Sequence, residues 1–166
     1  MSRPLYLDCE FNGHNGYLIS IALYDPLENK NFYEVDDFWA KAVKYRHSLQ
    51  NVYSTGVNKW VLENVIPKLN KKGVEENIII ANLTNYLYEF DIKDLIIYAD
   101  WPDDFAHLMK LLRIMDTTNN APIKIVPNLK FELITTPDKF VSVLPHNALE
   151  DAKALYLNHL EGLKNV

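Results

Sequence analysis

Cysteine is almost missing from this chain. Cys9 is the only one in 166 residues, so no internal disulfide can form, and a reducing, cytoplasmic setting is the expectation. Long apolar runs are missing too: no stretch of 18 apolar residues occurs, which leaves no candidate membrane span. Met1-Ser2-Arg3-Pro4 leads straight into a strand-like stretch, so no secretory leader is expected. Positive charge is in deficit, with 17 Lys and Arg against 22 Asp and Glu, net −5. That argues against broad non-specific binding to a polyanion. It leaves room for a nucleic-acid enzyme whose bound metals carry the positive charge. Repeats and low-complexity linkers are lacking, and the length fits one domain over residues 1–166.

The most informative stretch is Leu5-Tyr6-Leu7-Asp8-Cys9-Glu10-Phe11. A strand has a side-chain period of two, so Asp8 and Glu10 share one face while Leu7 and Cys9 take the other. Two like charges on one buried face repel, and burying them unpaired costs several kcal/mol. No Lys or Arg lies between Pro4 and Lys30 to offset them. A bound divalent cation is the simplest partner, because hard cations favour carboxylate oxygen. The pair alone is weak, since two solvated acids at a strand end read the same way.

Further along, Tyr17 to Tyr24 reads as a second strand after a turn at Gly13 and Gly16, with Tyr17 expected in the core. Asn31 to Val35 reads as a third strand, giving an antiparallel meander. Lys41 to His47 is a basic segment that suits a solvated helix face, with contact to a phosphate backbone as the alternative. A short helix is predicted over Lys59 to Ile66, ended by Pro67. Helical spacing follows from Val74 to Phe90, then a buried strand, Leu95 to Ala99. A helix opened by Pro102 carries an apolar stripe of Leu108, Leu111, Leu112 and Met115. Thr117 to Pro122 reads as a loop, Ile123 to Val126 as an edge strand, and Ala148 to Leu163 as a last helix with Ala152, Leu155, Leu157 and Leu160 among its apolar residues. The layout is α/β with a mixed sheet.

More acids fall where the first pair needs them. Asp104 follows the buried strand and opens a helix, where ligands bind in open α/β sheets. Asp100 and Asp103 compete with it. In Leu144-Pro145-His146-Asn147-Ala148-Leu149-Glu150-Asp151, Asn147 is a good N-cap and Glu150 completes a capping box. His146 and Asp151 then hold the two positions that normally pack as a hydrophobic staple. Had the helix begun earlier they would lie about 140° apart, so the cap is what brings them together.

Asp8-Cys9-Glu10-Phe11-Asn12-Gly13, Asp104 with Leu108, and His146-Asn147-Ala148 with Asp151-Ala152 resemble the motifs of the DEDDh 3′–5′ exonucleases, in that family's order and over nearly the whole chain. That family includes polymerase proofreading subunits, ribonuclease T and oligoribonuclease. The small size and the Trp101-Pro102-Asp103-Asp104 run look more like small stand-alone bacterial or phage exoribonucleases. Phe11 departs from the pattern, since many members carry a smaller or more flexible residue there.

The resemblance implies a ribonuclease H-like fold, a central mixed five-stranded sheet flanked by helices. It implies two divalent cations, Mg²⁺ or Mn²⁺, held by Asp8, Glu10, Asp104 and Asp151, with Asp8 bridging them. His146 would be the general base, a role for which imidazole, titrating ordinarily near 6.5, is suited. Phe11, Asn12 and Trp101 would contact the terminal nucleotide, although a regular strand would point Phe11 away from it. The implied partner is the 3′ end of single-stranded nucleic acid, RNA favoured over DNA, with a homodimer as a further expectation. A DNA-directed proofreading or repair exonuclease and a non-catalytic nucleic-acid-binding domain are the rival readings.

Overall fold

The computed structural model describes residues 2–13, 16–37, 58–90, 95–119 and 129–164, with the side chains of 113–119 outside that description. In chain order the elements are β1 (Arg3–Phe11), β2 (Leu18–Asp25), β3 (Lys30–Val35), α1 (Lys59–Asn64), a 3₁₀ turn (Ile66–Lys68), α2 (Glu76–Tyr88), β4 (Leu95–Ala99), α3 (Pro102–Asn119), β5 (Leu129–Leu133) and α4 (Ala148–Leu163). The strands form one mixed sheet in the order β3-β2-β1-β4-β5. Strand β2 is antiparallel to both its neighbours, while β4 and β5 run parallel to β1. The expected α/β architecture, a five-stranded mixed sheet with helices against it, is present.

Strand β1 is central, and its alternation sorts the two faces. Leu5, Leu7 and Cys9 join Ile21, Leu23, Phe32 and Ile97 in a core closed by Ile79, Leu83 and Leu87 of α2 and Leu108 and Leu111 of α3. Each fully buried leucine contributes roughly 1.5–3 kcal/mol. Tyr6, Asp8 and Glu10 therefore face the other way, toward α4. That helix sits close to the sheet because its inward residues are small: Ala148 and Ala152, one turn apart, pack with Ala22, Tyr33 and Val35. Leu155 follows at helical spacing against Tyr6. Leu157 and Leu160 fall on the outer side and are exposed. Among the described residues, no helix is long and apolar enough to cross a membrane.

At the end of the sheet away from the acids, Arg3 pairs with Asp25, and with Glu28 at 2.8 Å, while its guanidinium lies over Phe90. Asp25 is fully buried and also accepts from Leu27 N–H at 3.0 Å. Removing one member of a buried pair strands the other charge. Asp25→Ala is expected to lower the unfolding free energy by about 3–5 kcal/mol, read by urea denaturation; a loss below 1 kcal/mol would show the pair to be solvent-screened.

Several expectations need correcting. Tyr17 is 73% exposed rather than in the core, and its role is in the backbone, where its carbonyl accepts from Asn12 N–H at 3.0 Å. Helix α2 starts at Glu76 because Val74 is used otherwise, bridging beside Asp36 at the edge of β3. Helix α3 runs on to Asn119, through the start of the expected loop. The described edge strand is β5 at Leu129–Leu133, later than Ile123 to Val126, which with Lys41 to His47 lies outside the described residues.

Candidate active site

The site forms where β1 outruns its neighbour. Pairing of β1 with β4 ends at Tyr6 and Tyr98, and β4 stops at Ala99, while β1 continues to Phe11. Backbone donors left without a strand partner need another acceptor. Helix α3 begins in that gap, and Asp104 Oδ1 accepts from Cys9 N–H at 3.2 Å. Pro102 and the acids Asp103 and Asp104 occupy the helix's first turn, where Pro loses no bond and negative charge suits the dipole. Asp104, 1% exposed, is thereby fixed beside β1.

Asp151 arrives from α4. Asn147 caps that helix, its side chain accepting from Glu150 N–H. The reciprocal half of the predicted capping box is not made: Glu150 reaches Lys153 at 2.8 Å, and Asn147 N–H donates to Leu144 O at 3.1 Å. That second bond closes a four-residue turn, Leu144 to Asn147. Pro145 sits at its second position and His146 at its third, with φ +68° and no cis peptide. This is a type II turn, whose third position normally takes Gly or Asn. His146 in left-handed backbone is strained, on the order of 1–2 kcal/mol. The sequence expectation that His146 and Asp151 meet is met through the main chain, His146 N–H donating to Asp151 Oδ2 at 2.9 Å.

A cavity of about 760 Å³ brings the pieces together; Asp8, Glu10, Asp104, His146 and Asp151 all line it, with Phe11, Trp60 and Trp101. Within it, one carboxylate oxygen from each of Asp8, Glu10 and Asp151 lies within 4.8 Å of the other two. The same holds for Asp8, Asp100 and Asp104. Asp8 belongs to both groups. Asp100, a rival for the middle acid, stands beside Asp104 rather than replacing it. No Lys or Arg is among the described lining residues to neutralise the acids. Asp8 Oδ2 and Asp104 Oδ2 are buried without a hydrogen-bond partner among the described residues. Hard oxygen donors left bare in this way fit a hard divalent cation.

The acids feel one another. Burial, then the charges of Asp104, Glu10 and Asp151, push the Asp8 carboxyl well above its usual range. Burial and Asp151 push Glu10 up to about 8, and burial and Asp100 push Asp104 up to about 8. Burial also raises Asp151, against the opposing effects of the Ser142 hydroxyl and His146 N–H. In an unfolded chain Glu10 and Asp104 titrate at ordinary values, so between about pH 4.5 and 8 the folded, metal-free protein holds the extra protons. Their contribution is full below the unfolded values and is lost as pH rises to about 8. Melting in EDTA should therefore fall in temperature from pH 5.5 to 8. Added Mn²⁺, which binds the deprotonated form, should flatten or reverse that slope. A midpoint that climbs with pH in EDTA would contradict this.

The aromatic wall differs from expectation. Phe11 lines the cavity while also packing against the core of Leu7 and Cys9; the β1–β2 register shifts between Glu10 and Phe11. Behind it the His107 ring packs at 4.8 Å. Trp101 is at the rim, 48% exposed. Asn12 acts at one remove: its Oδ1 accepts from Asn58 N–H at 2.8 Å, and Asn58 in turn caps α1 by accepting from Trp60 N–H at 2.9 Å. The loop after Asn12 is tight, since a Cβ at Gly16 would lie 2.0 Å from Asn12 O. Trp60 itself is not in the predicted set. It stands edge-on to His146, ring centroids 4.8 Å apart. A tryptophan in the exposed first turn of a six-residue helix, after an Asn cap, was the available signal.

No family model, curated protein or solved structure matches the chain.

Proposed function

We propose that this chain is a metal-dependent 3′–5′ exonuclease of ribonuclease H-like fold. It removes nucleoside 5′-monophosphates from the 3′ end of single-stranded RNA or short oligonucleotides. The observation that carries this is Asp8, one carboxylate common to two groups of three acids, with His146 in the same cavity. Glu10 and Asp151 with Asp8 would hold one divalent cation, Mg²⁺ or Mn²⁺, and Asp104 and Asp100 with Asp8 a second. Two such ions, when bound, supply Lewis-acid stabilisation of the phosphate and of the attacking and leaving oxygens.

The rest falls to the chain. A ring nitrogen of His146 takes a proton from the water that attacks phosphorus. The bond from phosphorus to the 3′ oxygen of the preceding nucleotide breaks, and that oxygen leaves and is protonated. Trp60, Trp101 and Phe11 offer ring faces and edges to the terminal base, each stack being worth about 1–3 kcal/mol. The cavity's volume falls in the range of roughly 300–1,000 Å³ usual for small-ligand pockets, which suits one end nucleotide rather than a duplex.

The test is a 5′-labelled RNA pentamer incubated with Mn²⁺ or Mg²⁺, beside its DNA counterpart. Stepwise shortening with release of 5′-monophosphates is expected, absent in EDTA and blocked by a 3′-phosphate. Faster shortening of DNA would move the substrate to DNA. Neither cleavage nor calorimetric binding of Mn²⁺ would leave a non-catalytic domain.

A further inference from the structure

Asn147 is fully buried, yet it is polar and adjoins His146. Its amide is spent on three separate parts of the fold. The oxygen caps α4 through Glu150 N–H at 3.4 Å. The nitrogen shares its two hydrogens among three acceptors within reach, Tyr33 Oη on β3 at 3.2 Å, Lys68 O at 3.1 Å and Asn70 Oδ1 at 3.3 Å. Lys68 ends the 3₁₀ turn that follows α1, and α1 carries Trp60, whose ring abuts His146. A cap needs only the oxygen; the three contacts through nitrogen serve something else.

From this geometry we propose that Asn147 is the positioning residue of the general base: its side-chain NH₂ locks the Leu144–Asn147 turn to the wall that bears Trp60, and so sets where the His146 ring points. The inference rests on the nuclease reading given above. His146 is the residue with the most to gain. Its left-handed backbone is a strained state that persists only where its surroundings over-determine it. Two main-chain bonds hold the turn from the α4 side, Asn147 N–H to Leu144 O and His146 N–H to Asp151 Oδ2. Among the hydrogen bonds of the described residues, it is the Asn147 side chain that ties the turn across to β3 and the 68–70 connection. Asn147 touches no reacting atom, so it acts through His146.

A double-mutant cycle tests this. Asn147→Ser keeps a capping oxygen and loses the nitrogen. Against a short RNA with Mn²⁺, kcat is expected to fall on the order of 10- to 100-fold, as for a misplaced catalytic group, with KM and calorimetric Mn²⁺ affinity within threefold. In a His146→Ala background the same change should alter kcat less than twofold, because the group it positions is gone. Equal losses in both backgrounds, or a parallel loss of Mn²⁺ affinity, overturn the proposal. Should Asn147→Ser not fold, Tyr33→Phe removes one of the three acceptors at constant shape, and the same cycle is run with it. If the wild-type protein releases no nucleotide, the nuclease reading fails on its own account. The His146 ring resonances then decide the role of Asn147: one sharp set in wild type and a broadened or doubled set in Asn147→Ser are expected, and identical spectra refute it.

Discussion

Asp8→Asn is expected to reduce nucleotide release by on the order of 10³-fold or more while making the metal-free protein harder to unfold at pH 8. The two effects share one cause. Asp8 is the carboxylate common to both acid groups, so its loss would disable both proposed cation sites at once. Its ionised form is also disfavoured by burial and by Asp104, Glu10 and Asp151. A neutral amide of the same shape removes that repulsion, with a gain on the order of 1–3 kcal/mol at pH 8. The gain should shrink toward pH 5, where the wild-type acids hold their protons, and should reverse when Mn²⁺ is added, since only wild type binds it well. Melting curves at both pH values, with EDTA and with Mn²⁺, read all of this. A variant less stable than wild type at pH 8 in EDTA would show that Asp8 is held by contacts, not by a missing cation.

His146→Asn is expected to share the large loss of rate but to leave stability almost unchanged. A general base contributes typically 10²- to 10⁴-fold, and turnover should fall by that much. Asn accepts left-handed backbone more readily than most residues, so the turn after Pro145 survives. The Asp151 carboxylate keeps its bond because the donor is the main-chain N–H. Mn²⁺ affinity should therefore stay within threefold and the unfolding free energy within about 0.5 kcal/mol. Loss of Mn²⁺ binding in this variant would mean that the imidazole is a ligand and not a base.

Much of this was legible in the residues. The period of two in Leu5 to Phe11 placed Asp8 and Glu10 on one face, and the Asn147 cap brought His146 to Asp151. These are local rules, acting over a few residues. What escaped depends on partners distant in sequence. The register shift beside Phe11 shows only in the pairing with β2. Asn12 braces α1 from 46 residues away, and Trp60 meets His146 across a longer span still. Strand β5 was hard to see for a different reason: Lys130 through Leu133 are exposed, so the strand carries little of the apolar signal by which buried strands announce themselves. Asp100 and Asp104 were read as rivals because sequence spacing cannot show that both reach Asp8.

The ion pair at the far end of β1 has a bearing on the acids it never touches. If β1 slid by one residue against β2, every side chain along it would change faces. Leu7 and Cys9 would then stand in the polar cavity, and Asp8 and Glu10 would be driven into the oil of the core. Arg3 paired with Asp25 at one end, and the register shift after Glu10 at the other, both favour the observed alignment. A salt bridge that looks like ordinary scaffolding thus adds to the apolar pattern of Leu5, Leu7 and Cys9 in keeping two carboxylates on the wet side of the sheet.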